Sequence, residues 1–345
     1  MHAVTSCPDL LPQARNLQAT LAGEDTGQVP RQEFFLSNPT IAAHVLGRTQ
    51  SSAVTDEIEF VQRIGWGMAR GTSWGVRVGA RNEVASDGTS HYAGGSELGW
   101  DDLDAMTGPD LDALAATHAE RASAIRASGL LVHIFMLHCF HSAATGVGME
   151  RLCMMVYDQP DLLQEYMRRV EAFNRKALQA ILSTGIVPDI AIFDADCAFK
   201  TSTMVSPEHY RDLIFEPTNA TAQVLHDAGI TMLMHTDGRI SDVYPIWLEM
   251  GVAGAHGVEA QANDLADVKQ RFGDRMTLFG NFDPVILATG EPRQIRTLAR
   301  EMVEIGRPGG RYVAAVNTIV GDHVPLANYL AFIEGVEEAA SWHGG

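Results

Sequence analysis

A series of short, unbroken apolar runs, each ending in polar residues and followed by a helical pattern, constrains this chain more than any other feature. LVHIFMLH (131–138), IAIFDAD (190–196), TMLMHTDG (231–238), GAHGVEA (254–260), MTLFGNFD (276–283) and YVAAVNT (312–318) carry it. A strand with one face in water alternates apolar and polar residues, whereas a strand covered on both faces stays apolar throughout, as in parallel sheets. The stretches 161–185, 206–229 and 293–306 read as helices that close on glycine after an apolar stripe. In the second of these Ser206 is placed to cap, Pro207 to open and Gly229 to end the helix. Strand and helix alternate roughly every 20–40 residues, the rhythm of βα units around a parallel sheet.

Before residue 130 the pattern loosens. QARNLQATLAGE and DEIEFVQRIGW read as helices, VPRQEFFL as a first barrel strand, and WGVRVGARNEVASDGTSHYAG (74–94) as a short antiparallel insertion with Gly and Asp turns. No tandem repeat, low-complexity tract or Pro/Ser-rich linker divides the chain. The expected fold is α/β: one (β/α)8 TIM-type barrel domain over 1–345, with an N-terminal helical extension over about residues 1–55 and a short β insertion.

Composition narrows the partners. With 46% hydrophobic residues there is ample material for a core. No apolar stretch approaches the roughly 20 residues that span a bilayer, and the N-terminal MHAVTSCPDLLPQARNLQ lacks the basic-then-apolar layout of a signal peptide. A cytoplasmic protein without a membrane partner is expected. A net charge of −18 argues against nucleic acid, which is gripped by clustered Lys and Arg. Cys7, Cys139, Cys153 and Cys197 show no CxxC spacing and are expected to be free thiols.

In barrels of this type the active site lies at the C-terminal ends of the strands. Those ends deliver His138, Asp194 and Asp196, His235 and Asp237, His256 and Glu259, Asn281 and Asp283, and Asn317, with Asp322 and His323 in the next loop. Asp194 and Asp196 are two apart, as are His235 and Asp237, so each pair faces one side of an extended chain. Paired carboxylates hold a metal or share a proton, and Gly238 permits a tight turn beyond the second pair. For each residue a structural role competes: Asp283, before Pro284, equally suits a helix N-cap, and Cys197 suits a small buried hydrophobe better than a ligand.

From about Glu150 to Ala339 the chain resembles the uroporphyrinogen decarboxylase superfamily. The resemblance is carried by MERLCMMVYDQPDLLQEYMRRV, SPEHYRDLIFEPTNATAQVLHDAG, HTDGRISDVYPIWLEMGVAGAHGVE, DVKQRFGDRMTLFGNFDPVILATG and GDHVPLANY. That superfamily also contains zinc- and corrinoid-linked methyltransferases acting on methanol, methylamines, methyl halides and aryl methyl ethers. Its decarboxylases carry an RQAGR-type segment that neutralises porphyrinogen carboxylates, of which RQEFF (31–35) is only an echo. Its methyltransferases bind zinc through His-x-Cys and a later Cys. Here the pair reads His235-Thr236-Asp237 and the later position falls near Asn317 or Thr318.

The resemblance, so modified, implies a methyltransferase-like enzyme moving a methyl group from a small methylated substrate to a corrinoid protein or related acceptor, any corrinoid being on a separate protein. His235 and Asp237, with Glu259 or Asp194, would hold Zn2+ in an oxygen-rich site. Asp194, Asp196, Asp237 and Glu259 would serve catalysis, while His138, Arg239, Asn281, Asn317 and His323 would contact substrate. Arg239 is the one basic residue expected at the pocket. The alternatives are a lyase acting on a small carboxylic acid and a non-catalytic binding protein on the same barrel.

Overall fold

A computed structural model describes residues 9–84 and 90–341. In chain order its strands are β1 (Leu36–Ser37), β2 (Met68–Trp74), β3 (Arg81–Val84), β4 (Ser90–Gly94), β5 (Leu131–Leu137), β6 (Ile190–Asp194), β7 (Thr231–His235), β8 (Gly254–His256), β9 (Thr277–Phe282), β10 (Tyr312–Val316) and β11 (Val320–Gly321). Seven of them form one parallel sheet in the order β10-β9-β8-β7-β6-β5-β2. The fold is a TIM-type barrel, as the apolar runs predict. β3 and β4 form the antiparallel insertion, whose connecting residues lie outside the described ones.

Residues 30–37 take the eighth position, in two different ways on their two sides. Toward β10 the pairing is backbone: Gln32 N–H donates to Ala314 O at 3.2 Å, Ala314 N–H to Pro30 O at 2.9 Å, and β1 continues it alongside β11. Toward β2 a side chain replaces the ladder, with Gln32 Oε1 accepting from the N–H groups of Gly67 and Met68 at 3.0 and 3.1 Å. VPRQEFFL is thus a barrel strand, and the helix Pro12–Ala22 before it plugs the barrel floor, where Ala14, Leu17 and Leu21 pack with Met68, Leu131, Ile190, Ile192, Leu233, Phe279 and Val313. Such aliphatic layers are what fill a barrel interior.

β2 is the strand that apolarity does not reveal, because Arg70, Gly71, Thr72 and Ser73 break its run. Its register with β5 shifts between Arg70 and Thr72, and a Cβ on Gly71 would stand 2.9 Å from the His118 ring. Close packing against the helix Leu111–Ala127 sets this sequence, and hydrophobic periodicity does not. The helix Pro207–Asp227 begins where its cap predicts: Ser206 Oγ accepts from His209 N–H at 3.1 Å. Cys139, Cys153 and Cys197 are free thiols, and Cys7 lies outside the described residues. Among the described residues no helix is long and apolar enough to cross a membrane.

Closing the barrel buries an acid. Glu33 is 3% exposed and accepts from Val316 N–H at 2.9 Å. Burial pushes its carboxyl up to about 8, against the smaller pulls of that N–H and of Arg31. A carboxyl raised in the fold binds its proton more tightly there than in the unfolded chain, so its contribution is present below the ordinary value of 4.5 and is lost as pH climbs toward 8. Glu33→Gln keeps an acceptor for Val316 and removes the charge. The wild-type unfolding free energy is expected to fall between pH 5 and 8 by up to about 1.4 kcal/mol per pH unit relative to the variant. Urea titrations of both proteins across that range check it, and parallel pH profiles would refute it.

Candidate active site

Parallel register carries one row of residues across the sheet. Leu137 pairs with Asp194, Asp194 with His235, His235 with His256, and His256 with Phe279. Two residues earlier in β6 and β7 stand Ile192 and Leu233 of the interior cluster, so Asp194 and His235 share their inward face one layer nearer the C-terminal mouth. An apolar layer with a polar layer above it is the local outcome of TMLMH and IAIFD.

Around this row the structure assembles His141, Asp194, Asp196, His235 and Asp237. His141 Nδ1 lies 3.0 Å from Asp194 Oδ1, and its Nε2 faces Asp196 Oδ2 at 3.9 Å. The other oxygen of Asp196 faces His235 Nε2, also at 3.9 Å, and accepts from Asp237 N–H at 3.3 Å. His235 Nδ1 meets His256 Nδ1 at 2.8 Å, so one ring donates and the other accepts. His141, Asp194 and Asp196 offer three ligand atoms within 4.8 Å of one another, and so do Asp196, His235 and Asp237.

Burial acts on each group, and neighbours decide the outcome. Burial would lower His141, but the hydrogen bond and charge of Asp194, with the charge of Asp196, hold it above its ordinary value. Burial would raise Asp194, yet the bond and charge of His141, with His235 and Arg77, bring it below the usual carboxylate range. Asp237 rises to about 6: burial dominates, and the charges of Asp196, Glu259 and Asp194 add to it against the pull of His235. Its Oδ1 is buried without a hydrogen bond. Burial drives His256 well below its ordinary value and keeps it neutral.

The loop after β7 presents this set. Gly238 has φ +87°, and a Cβ there would stand 2.7 Å from the backbone of Ala198 and Phe199, so only glycine fits the turn. Its N–H donates to Glu259 Oε2 at 2.8 Å, and Lys200 Nζ lies 3.5 Å from Glu259 Oε1. Glu259 therefore shapes the loop that carries Asp237. Beneath, Phe34 stacks on His256 with centroids 4.2 Å apart, and Phe35 meets His235 edge-on at 4.8 Å.

Other sequence candidates have structural work. His138 is fully buried, caps the helix Cys139–Val147, and meets Thr218 Oγ1 at 2.9 Å through Nε2. Beside it Glu171 accepts from Cys139 N–H and Thr221 Oγ1, and Asn174 joins Trp74 Nε1–H to the Leu137 carbonyl. Asp283 caps the helix Pro284–Thr289, accepting from Val285 and Ile286 N–H. Cys197 is buried and its thiol is pushed up to about 12. With Asn281, Asp283 lines a separate cleft of about 570 Å3 beside the helix Pro292–Gly306. Arg239 and His323 are exposed, and among the described residues neither pairs with the cluster. Asn317 is buried with Oδ1 unpartnered. The basic group whose charge reaches His141 and Asp194 is Arg77, which replaces Arg239 in that role.

His141, Arg77, Phe34 and Phe35 escape a reading of strand ends. HCFH holds two histidines three apart, and strand parity tells them apart: Leu137 shares the inward row, so His138 turns outward and the first helical turn brings His141 back.

The uroporphyrinogen decarboxylase (URO-D) family model matches residues 101–339. Uroporphyrinogen decarboxylase of Coxiella burnetii is 24% identical over 189 residues, covering 53% of this chain and 49% of that protein. That of Methylococcus capsulatus is 29% identical over 192 residues, covering 54% and 51%. The chain thus spans about half the length of the curated relatives it matches. A solved methyltransferase from Methanosarcina mazei superposes with a TM-score of 0.70 at 16% identity, covering 94% of this chain and 98% of that one, which is a likeness of fold. With the family model spanning more than two thirds of its residues, the chain belongs to the uroporphyrinogen decarboxylase family.

Proposed function

We propose that this chain is a methyltransferase-like enzyme that takes a methyl group from a small substrate at the barrel mouth and passes it to a separate corrinoid protein or related acceptor. The observation that carries the reading is His235: Nδ1 is tied to His256, while Nε2 faces Asp196 beside the unpartnered Oδ1 of Asp237. Histidine nitrogen and carboxylate oxygen are both zinc donors, so these residues suit a divalent ion although the thiolates of the resemblance are replaced. Glu259, expected as the third ligand, has its oxygens engaged by Gly238 and Lys200, and Asp196 takes that place. A bound divalent ion supplies Lewis acidity to the ether, amine or thiol group that gives up the methyl.

The side chains supply orientation and exclusion. When His235 donates from Nδ1 to His256, its Nε2 is left as a lone pair directed into the mouth. Glu259 fixes the turn that presents Asp237, and Phe34 and Phe35 keep water from beneath the two imidazoles. Asp194, Asp196, Asp237 and Glu259 outnumber Arg77 and Lys200, so a polycarboxylate is repelled. Arg31 of RQEFF does not relieve this, because Ile64 O and Glu337 hold its guanidinium.

A second reading, a lyase for a small carboxylic acid, is favoured by Arg77, since one guanidinium can hold one carboxylate. Product analysis separates the two. Purified protein with a corrinoid acceptor is expected to yield demethylated product and a methylated acceptor from methyl ethers, amines or thiols. Release of carbon dioxide from a small acid without demethylation would overturn methyl transfer. With uroporphyrinogen no coproporphyrinogen is expected.

His235→Ala and Asp237→Ala should each remove most of the bound metal, because an open three-ligand site rarely survives loss of one ligand. Elemental analysis of the folded variants against wild type reads this directly. Undiminished metal in both would remove them from the ligand set.

A further inference from the structure

We propose that the barrel seam, below the mouth, holds a second ligand site, a pocket for a short-chain monocarboxylate whose charge is met by Arg70. The site is independent of the reaction proposed above. It exists because the barrel closes without a full ladder: Gln32 Oε1 reaches Gly67 and Met68 N–H, and among the described residues the only strand that pairs with β2 is β5. A cavity of about 180 Å3 is left between the eighth segment, β2 and the helix Val54–Ile64. One of its lining residues, His133, pairs with Ile190, four residues before Asp194 in β6. At about 3.3 Å per residue the pocket therefore lies roughly 13 Å below the row at the mouth.

An arginine without a counter-ion lines this gap. Leu131 and Phe135 flank His133 on the inner face of β5, and Met68 marks that face in β2, so Arg70 and His133, partners in register, both start from the inner side of the barrel. Arg70 is nonetheless exposed, which the opening in the wall allows. Among the described residues its guanidinium makes no ion pair and no hydrogen bond, while Glu57, which also lines the pocket, is engaged by Arg121 and by the backbone N–H of Arg70. Burial, with the charge of Arg70 behind it, pushes His133 down to about 3 and keeps it neutral. Burial likewise raises Glu33 to about 8, so near neutrality its carboxyl does not repel an anion. In a chain of net charge −18 this leaves one uncompensated positive charge beside the cavity.

Unmet hydrogen bonding points to the same place. Glu33 Oε1, Trp66 Nε1 and His133 Nδ1 are buried without partners, and all three residues line this one cavity. Most buried polar atoms in a fold are paired, so three open ones around one space call for a polar guest. Much of the remaining wall is apolar, formed by Phe60, Val61, Met68 and Ala69. An inorganic anion would satisfy Arg70 and leave that wall unfilled, whereas a carboxylate with a hydrocarbon body meets both. The volume equals about six waters at roughly 30 Å3 each, which limits the body to a few carbons.

Calorimetric titration of the full chain with butyrate tests the site. One saturable equivalent is expected. Butyramide, which keeps the shape and loses the charge, is expected not to bind, and inorganic phosphate at equal ionic strength is expected not to compete. Arg70→Gln should weaken butyrate about 10–100-fold, the scale of losing a hydrogen bond to a charged group, while Arg77→Gln at the mouth leaves it unchanged. Circular dichroism confirms that the variants are folded, and the comparison of butyrate with butyramide on the wild type needs no variant. No saturable binding, equal binding of butyramide, competition by phosphate, or an affinity that follows Arg77 instead of Arg70 would overturn the seam site. Each of those outcomes leaves the methyl-transfer reading standing.

Discussion

The alignment of parallel strands underlies everything at the mouth. Leu137, Asp194, His235, His256 and Phe279 become neighbours because β5 to β9 pair in register, although the first and last are 142 positions apart in sequence. A slip of one residue in β7 would turn His235 toward the helices and Met234 toward the axis, since strand side chains alternate. Leu233 guards against that slip, since it would leave the apolar interior cluster for the outer face, and Ile192 does the same for β6. The row at the mouth is therefore held by the aliphatic row beneath it, and the geometry of the candidate site is inherited from core packing.

The barrel's seam shows what closure costs. Backbone pairing satisfies one side of residues 30–35, and on the other Gln32 bridges to Gly67 and Met68 with a side-chain oxygen. The same short segment buries Glu33 and delivers Phe34 and Phe35 to the histidines. RQEFF thus performs three tasks within five residues. An arginine motif read for its charge would misplace Arg31, whose guanidinium ties the helices Val54–Ile64 and Leu326–Ala340 to this strand.

Much of this was legible in the residues. Continuous apolarity marks β5 to β10 because both their faces are covered, and the polar residues that end them mark the mouth. Pairs two apart placed Asp194 with Asp196 and His235 with Asp237 correctly, because alternation is local. Contacts between elements were not legible. β2 hides because Gly71 answers to His118 across a helix interface, and His141 hides because its direction depends on how the helix after β5 departs. Arg239 sits next to HTDG in sequence but, among the described residues, makes no ion pair with the cluster, whereas the charge of Arg77, also exposed and far away in sequence, reaches Asp194.

Satisfaction of polar groups distinguishes several supporting residues from their neighbours at the mouth. A buried polar atom without a partner is costly, so a fold that merely needs to stand pairs such atoms. Glu171, His138 and Asp283 obey this: each is engaged by caps, hydroxyls or side-chain amides, and each holds an element end in place. Asp237 Oδ1 and Asn317 Oδ1 do not, and both follow the C-terminal ends of barrel strands, while Glu33 Oε1, His118 Nδ1 and Tyr244 OH are left open elsewhere in the fold. Like charges on Asp194, Asp196 and Asp237 raise the cost further, and no packing demand requires them to gather. Gathered carboxylates beside an unpartnered oxygen, rather than cleft volume, are what mark the barrel mouth as the candidate site.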